Sequence, residues 1–198
     1  MTETEFSKEE LPRLKEAQKQ LMELLSEYAA NHKEEGSLCT VQSVISRIKE
    51  PESMSRKLKE RGLSINSKTA VTEVYDALGL RVICSFPNGV YHLAEWLKQC
   101  PGLQLIQEKD YISYPKANGY RSYHVIVKIS AGAAAGLFAE IQIRTIAQDF
   151  WASLEHQIKY KHKIAHEELI KNELKRCADE IASIDLTMQT IQELIQNV

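Results

Sequence analysis

The chain has 198 residues, of which 43% are hydrophobic and 26% charged, as is usual for a globular protein. Its apolar runs are shorter than the roughly 20 residues that span a bilayer, and its acidic N-terminus is unlike a secretory signal, so we expect no membrane segment and a cytoplasmic protein. The 25 basic and 27 acidic residues nearly balance, which excludes a global field that attracts polyanions, and RNA binding is not indicated by charge.

The N-terminal segment predicts an amphipathic helix from Ser7 to about Asn31. Ser7 and Glu10 form a capping-box pattern, and Pro12 is an alternative start for the helix. The stretch Cys39–Ile48 is rich in Val, Ile and Thr and predicts a strand.

A cluster of basic residues follows this strand. The segment Pro51–Gly62 predicts a short helix, because proline suits a first turn and glycine a stop. On it, Ser53, Lys57 and Arg61 are spaced four residues apart and share one stripe. A solvated basic face is the simpler interpretation, but Arg47 and Lys49 at the preceding strand end favour a polyphosphate site.

The central region alternates predicted helices and strands. Val71–Leu78 predicts a helix that leads into a turn at Gly79, and strands are expected over Leu80–Phe86 and Leu103–Lys109, with a helix over Asn88–Gln99 between them. Short connections suit a mixed sheet with helices packed on one face, so the fold class is α+β.

The segment 110–124 has the strongest loop character inside the domain. It contains the turn formers Pro115, Asn118 and Gly119, together with four tyrosines and cationic side chains. Tyr120 beside the Asn-Gly pair could pack on the surface. The nearby Lys116, Arg121 and His124 favour base stacking with phosphate contact instead. A strand is then expected over Tyr123–Ile129, followed by a small-residue connection.

The stretch Ala139–Thr145 alternates apolar and polar residues, which predicts a half-buried strand. Its polar face carries Glu140, Gln142 and Arg144. From Ile146 the period lengthens to that of a helix, with an apolar stripe that we expect to be buried. Its members are Ala147, Phe150, Trp151, Leu154 and Ile158. Glu155 lies at the edge of this stripe, where a carboxylate needs a partner.

The C-terminal segment has a heptad seam without Gly or Pro, which predicts one long helix or two abutting helices. The seam positions are Ile170, Leu174, Cys177, Ile181, Ile184, Met188, Ile191 and Ile195. The seam is expected to pack on the N-terminal helix of the same chain, to form a subunit interface, or to do both. We therefore divide the chain into a domain over residues 1–163 and a helical packing or oligomerisation segment over residues 164–198.

Two carboxylates are candidates for a metal site. Asp76 precedes one predicted strand and Glu140 lies within another, and Mg²⁺ prefers one or two carboxylates together with substrate phosphates. The Gly-Ser turn and Asp-x-Asp pair of ordinary nucleotidyltransferases are absent from the sequence.

Taken together, four motifs resemble the RelA/SpoT-type (p)ppGpp synthetases, specifically the small, single-domain alarmone synthetases, over about residues 40–163. They are Arg47-x-Lys49-x-x-x-Ser53-x-x-x-Lys57; Asp76-x-x-Gly79-x-Arg81; Asp110-Tyr-Ile-x-x-Pro115-Lys-x-Asn-Gly-Tyr120-x-Ser-x-His124; and Glu140-Ile-Gln142-Ile-Arg144-Thr with Phe150-Trp-Ala-x-Leu-Glu155-His. The resemblance implies a mixed sheet related to the polymerase-β-like nucleotidyltransferases. It also implies transfer of the β,γ-diphosphate of ATP to the 3′-hydroxyl of GDP or GTP, with release of AMP. Since no hydrolase motif is present, we expect degradation of the product elsewhere.

The resemblance also implies residue roles. Arg47 and Arg81 would stack on either side of the adenine. The ATP phosphates would contact Lys49, Ser53, Lys57 and Arg61. Asp76 and Glu140 would bind Mg²⁺, and Glu140 would also orient or deprotonate the 3′-hydroxyl. The acceptor nucleotide would contact Lys116, Asn118, Tyr120, His124 and Gln142, and Glu155 would hold the local network. A homotetramer is expected, as in other small members.

Two other classes of function remain open at this stage. The acceptor could carry adenine, as an adenosine nucleotide or the 3′ end of tRNA, although tRNA usually needs a broad basic surface. Alternatively, the chain could be an inactive oligomer that binds nucleotides or RNA. The presence of both Asp76 and Glu140 favours catalysis, because a pure binding module needs no metal pair.

Overall fold

The computed structural model describes Phe6, Lys8 and residues 10–33, 40–160 and 167–196. Ser7, the expected strand start at Cys39 and the 163/164 boundary lie outside the described residues. The helices are α1 (Leu11–Asn31), α2 (Pro51–Glu60), α3 (Ser67–Glu73), α4 (Pro87–Gln99), α5 (Ile146–Tyr160) and α6 (Glu167–Gln196). The strands are β1 (Val41–Ile48), β2 (Leu78–Cys84), β3 (Leu103–Asp110), β4 (Tyr123–Ile129) and β5 (Phe138–Thr145).

The five strands form one mixed sheet in the order β1-β2-β5-β4-β3. The central pair β2 and β5 is parallel, whereas β1 pairs with β2, β4 with β5 and β3 with β4 in antiparallel fashion. The small-residue connection joins the antiparallel strands β4 and β5 as a hairpin loop. The predicted α+β class with a mixed sheet is therefore confirmed.

The two faces of the sheet have different chemistry, as the alternation in β5 predicts. Ala139, Ile141 and Ile143 on one face are completely buried. That face packs against α1 and α4, whose buried residues include Leu21 and Leu93. The opposite face carries the polar residues of the predicted site. A side chain's position along a strand thus decides whether it contributes to the core or to the site.

Gly79 does not form the predicted turn. It lies inside β2, where it is paired with Arg47 of β1 and Glu140 of β5. The helix before it ends at Glu73, and the turn is closed by the hydrogen bond from the Ala77 amide to the Val74 carbonyl (2.8 Å). Pairing with two neighbouring strands, which local pattern does not encode, extends the strand to Leu78.

The apolar stripe predicted on α5 is only partly buried. Trp151 has 5% of its surface exposed, but Phe150, Leu154 and Ile158 have 58%, 41% and 43% exposed. The expectation that the whole stripe is buried within the chain is therefore wrong. The reason is that α6 covers the Trp151 side of α5 and leaves the other side open.

The heptad seam is also divided between a packed half and an exposed half. Leu174, Cys177 and Ile181 pack against Trp151, whose indole Nε1–H donates to the Leu174 carbonyl (2.9 Å). The main partners of α6 within the chain are thus α5 and α4, and the expected packing onto the N-terminal helix is wrong. The remaining seam positions Ile184, Met188, Ile191 and Ile195 are 46–65% exposed.

None of the helices that the structure describes is both long and apolar enough to cross a membrane.

Candidate active site

A cleft with a volume of about 240 Å³ lies on the polar face of the sheet. The strand register explains its position, because Arg47, Gly79 and Glu140 form one row across three strands, and Arg81 and Gln142 lie side by side two residues further along. The cleft is lined by Ile45, Ser46, Arg47, Asp76, Gly79, Leu80, Arg81, Glu140 and Gln142. Six of these nine residues belong to motifs that the sequence singled out. The Arg47 side chain lies beside the Gly79 backbone, since a Cβ built on Gly79 would be 3.9 Å from Arg47 Cγ.

Asp76 is held by two cations. Lys49 Nζ contacts one carboxylate oxygen, and Lys57 Nζ donates to the other at 2.7 Å. Burial acts to raise the pKa of Asp76, but the hydrogen bonds and charges of the two lysines outweigh it and lower the pKa. Asp76 is therefore ionised at neutral pH.

Glu140 is the second carboxylate of the cleft. Its Oε1 lies 3.2 Å from Nδ1 of His124, and its Oε2 accepts a hydrogen bond from Gln142 Nε2 (2.9 Å). Burial again acts to raise the pKa, the hydrogen bonds of His124 and Gln142 lower it, and the net effect on Glu140 is a lowered pKa. The residue is thus an ionised acceptor beside the cleft.

Three charged side chains connect the cleft with the segment 110–124. Asp149 Oδ1 lies 3.3 Å from Arg81 and 3.1 Å from Arg144. Burial and the nearby Arg144 lower the pKa of Arg81. Among the described residues, Arg81 Nε is the single buried side-chain polar atom without a hydrogen-bond partner. A buried donor of this kind is rare in folded proteins, and Arg81 Nε is available to a group bound in the cleft.

Tyr120 lies close to Lys116 and is linked to Glu140 through His124. Its hydroxyl accepts a hydrogen bond from Arg144 Nη2 (2.7 Å) and lies 2.9 Å from Nε2 of His124, which contacts Glu140 through its other nitrogen. The Nζ of Lys116 lies 4.9 Å from the centre of the tyrosine ring. The imidazole of His124 therefore links the Tyr120 hydroxyl to the Glu140 carboxylate.

Asn118 and Glu155 are brought together across the fold. Asn118 Nδ2 donates to Glu155 Oε1 (2.9 Å), and the Oδ1 of the same amide accepts from the Tyr120 backbone N–H (3.2 Å). The prediction that the carboxylate of Glu155 has a polar partner is confirmed. The pair fixes the turn that carries Tyr120 against α5.

Four of the six predicted ATP-binding residues do not line the cleft: Lys49 and Lys57 reach it only through their contacts with Asp76, and Ser53 and Arg61 do not reach it. Arg61 Nη1 donates to the carbonyl of Glu73 (2.8 Å), and Ser53 is half-buried on α2, so neither belongs to the lining. The structure adds Asp149 and Arg144, to which no role was assigned from the sequence. Arg144 is 4% exposed. Arg144 lies on the same strand face as Glu140, which was the sequence signal that could have identified it. Alternation alone does not distinguish a ligand-binding cation from a structural one.

The donors present fit a magnesium ion. Asp76 and Glu140 line the same cleft and interact electrostatically. Within the part of the chain that the structure describes, no group of three or more His, Cys, Asp or Glu residues could hold a metal by itself. Two carboxylates suit Mg²⁺, which completes its shell with waters and substrate phosphates.

Comparison with known proteins identifies the family of the chain. The family defined as "Region found in RelA / SpoT proteins" matches residues 46–165. The chain is 41% identical over 151 residues to the GTP pyrophosphokinase YwaC of Bacillus subtilis, and the match covers 75% of this chain and 72% of YwaC. It is 30% identical over 159 residues to the GTP pyrophosphokinase YjbM of the same organism, and this match covers 79% of this chain and 74% of YjbM.

Solved structures give the same result for the whole fold. Small alarmone synthetase 2 from Bacillus subtilis superposes with a TM-score of 0.82 at 35% identity, over 94% of this chain and 97% of that one. A GTP pyrophosphokinase family protein from Streptococcus pneumoniae has a TM-score of 0.82 at 33% identity, over 100% and 97% of the two chains. The chain therefore belongs to the RelA/SpoT family and, within it, to the single-domain small alarmone synthetases.

Proposed function

We propose that the protein is a GTP pyrophosphokinase that synthesises (p)ppGpp. It transfers the β,γ-diphosphate of ATP to the 3′-hydroxyl of GDP or GTP and releases AMP. The observation that carries this proposal is the convergence of Asp76, Glu140 and two arginines in one cleft, on a chain whose relatives include named GTP pyrophosphokinases.

ATP occupies the cleft on the β1–β2 side. The planar guanidinium groups of Arg47 and Arg81 line the cleft and hold the adenine by stacking. Lys49 and Lys57, which contact Asp76, turn toward the phosphates when these bring their own negative charge. For Ser53 and Arg61 to contact the phosphates as well, α2 must move closer to the cleft when ATP binds.

The acceptor nucleotide occupies the side of the site formed by the segment 110–124. Tyr120 stacks on its base, Lys116 and His124 contact its phosphates and ribose, and Gln142 completes the contacts beside Glu140. Asn118 and Glu155 keep the Tyr120 turn in place. The lowered pKa of Glu140 keeps this residue ionised, so that it can accept a hydrogen bond from the attacking 3′-hydroxyl and orient it.

Magnesium would be held by Asp76 and Glu140, where it would neutralise charge on the transferred diphosphate. The remaining work is done by the residues of the chain itself. They position the two nucleotides, and the basic side chains stabilise the charge that builds up on the leaving AMP oxygen.

We further propose that the protein acts in the cytoplasm as a homotetramer. The exposed apolar residues of α5 and the C-terminal half of α6 support assembly, since a contiguous apolar surface of this kind is usually covered by another chain. The residues 1–163 constitute the synthetase domain, and residues 164–198 form the segment that contributes to assembly.

Thin-layer chromatography of γ-labelled ATP, incubated with Mg²⁺ and each acceptor in turn, tests this function. The expected result is labelled (p)ppGpp with GDP or GTP and none with adenosine nucleotides or tRNA. Label transfer to an adenine acceptor alone would assign the protein to the alternative class. Absence of transfer to every acceptor would leave only nucleotide binding.

A further inference from the structure

The acceptor turn, defined here as residues 116–122, rests directly on the C-terminal helix α6. Gly119 has a φ of +88°, and a Cβ built on it would lie 2.6 Å from the Cβ of Ala178 and 3.2 Å from the Cα of Lys175. Such distances are too short for any real side chain. The loop and helix backbones therefore approach closely because small residues face each other at this point.

Arg121 holds this contact together. Its Nη1 donates to the carbonyls of Gly119 (3.0 Å) and Ala178 (3.3 Å), and its Nη2 donates to Asp179 Oδ1 (2.9 Å). One planar guanidinium group thus binds the turn and the helix at the same time. The Arg121 side chain is 15% exposed, so water competes little with these bonds.

Hydrogen bonds on either side of the contact with the acceptor turn fix α6 to the rest of the fold. Trp151 donates to the Leu174 carbonyl one turn before Ala178, and Thr145 Oγ1 donates to the buried Asp185 (2.6 Å) two turns after it. These bonds anchor α6 to α5 and to the end of β5. The position of the acceptor turn is consequently set by α6 as well as by the Asn118–Glu155 pair.

We propose that Arg121 and Asp179 are positioning residues for the acceptor nucleotide. By holding the turn on α6 they place Tyr120 and Lys116 for the acceptor without touching it, and they have no role in binding ATP. This inference rests on the proposed function of the cleft and assigns to α6 a second task besides assembly, which is control of acceptor affinity.

Steady-state kinetics of Arg121→Ala, Asp179→Ala and the double variant provide the test, with ATP and the acceptor varied separately. We expect each single variant to raise the acceptor KM by about 3- to 10-fold, the scale of a partly exposed charged pair with a backbone hydrogen bond. The KM for ATP and kcat should change by less than about 2-fold, since the donor side is untouched. Asp179→Ala removes only the ion pair, whereas Arg121→Ala also removes the bonds to the two carbonyls, so the double variant should be no worse than Arg121→Ala alone.

The matched control is Lys175→Ala. Lys175 binds the other oxygen of Asp179 (2.7 Å) and belongs to the same helix, but its side chain forms no bond to the turn that the structure records. Its acceptor KM should equal that of the unchanged protein. Arg121→Lys keeps the positive charge that faces Asp179 but cannot donate to both carbonyls and the carboxylate at once, so it should recover acceptor affinity only in part relative to Arg121→Ala.

The outcomes separate this inference from the proposed function. Absence of (p)ppGpp synthesis by the unchanged protein would contradict the function itself. Synthesis with an unaltered acceptor KM in both single variants, or with an equal rise in the KM for ATP, would overturn the positioning role. Thermal unfolding of each variant identifies any general loss of stability.

Discussion

At the scale of single residues, the two carboxylates of the cleft are held by different partners. Lysines hold Asp76, whereas a histidine and a glutamine hold Glu140. Both pKa values are lowered despite burial, so stability from these groups is present at neutral pH and is lost as pH falls through their folded pKa values. Acidification is therefore expected to weaken the fold and the site together.

The first prediction concerns these carboxylates. Asp76→Asn and Glu140→Gln keep the shape of each side chain but remove its charge, so turnover should fall by at least about 10²-fold, the scale of losing a catalytic group. Initial rates at saturating ATP and acceptor measure the effect, and circular dichroism checks that folding is retained. Near-normal turnover in either variant would remove that residue from the site.

The second prediction concerns Tyr120. Base stacking on an aromatic ring is worth roughly 1 to 3 kcal/mol, so Tyr120→Ala should weaken acceptor use by about 5- to 150-fold. Tyr120→Phe keeps the ring but loses the hydroxyl contacts with Arg144 and His124, and should retain most acceptor use. Acceptor kinetics, together with calorimetry of a non-hydrolysable ATP analogue, measure both sites. Loss of ATP affinity with an unchanged acceptor KM would mean that the two nucleotide pockets are reversed.

At the scale of the elements, α6 is joined to the end of β5 by a buried polar contact. Asp185 is 6% exposed, and its carboxylate accepts from Thr145 Oγ1, which in turn accepts from the Gln148 backbone N–H (3.1 Å). Burial raises the pKa of Asp185, although the Thr145 hydrogen bond opposes the shift. The ionised form is thus disfavoured in the folded protein.

The third prediction is a pH-dependent effect of Asp185→Asn. Because the pKa of Asp185 is raised in the folded state, the folded protein binds this proton more tightly than the unfolded chain does. The resulting stabilisation is present below the pKa of the unfolded chain and is lost as the pH rises through the folded pKa. The amide cannot ionise, and the variant should unfold at a higher temperature than the unchanged protein at about pH 8 but not at about pH 4. Thermal unfolding across this range measures the difference in unfolding temperature between the variant and the unchanged protein, with Glu60→Gln at the exposed end of α2 as the control. A difference in unfolding temperature that is the same at every pH would show that ionisation of Asp185 does not affect stability.

At the scale of the whole molecule, the surface of α5 and α6 is unusually apolar. Phe150, Ile184 and Met188 are more than half exposed. They surround a cavity of about 550 Å³ that is also lined by Phe86 and Ile146. Exposure of so many large apolar side chains on one face favours burial against another copy of the chain.

The fourth prediction is that charge on this surface disrupts assembly. Light scattering should show a homotetramer for the unchanged protein and a smaller species for Ile184→Asp combined with Met188→Asp, because burying a carboxylate in an apolar interface is costly. Ser183→Asp combined with Thr190→Asp adds the same two charges to another exposed side of the helix and should leave the assembly unchanged. A monomer at micromolar concentration for the unchanged protein would contradict the assembly itself.

Local pattern was sufficient for most of the helices and strands and for the two faces of β5. The period of two in β5 separated the core residue Ile141 from the cleft residues Glu140 and Gln142, because alternate side chains of a strand point to opposite faces. The motif spacing also identified Asp76 and Arg81, which line the same cleft. The two faces of β5 follow from neighbours within a few residues, whereas the role of Arg81 was implied by the resemblance to the RelA/SpoT motifs.

Other features were decided only by the tertiary structure. Gly79 became a strand residue because β1 and β5 pair with it, and Arg61 is held by the Glu73 carbonyl rather than the cleft. The exposure of Phe150 and the contact of Gly119 with α6 likewise depend on where a distant helix packs. Periodicity shows that a side chain needs an apolar or polar partner, but the partner itself comes from segments far apart in the chain, and its choice depends on packing that no local pattern contains.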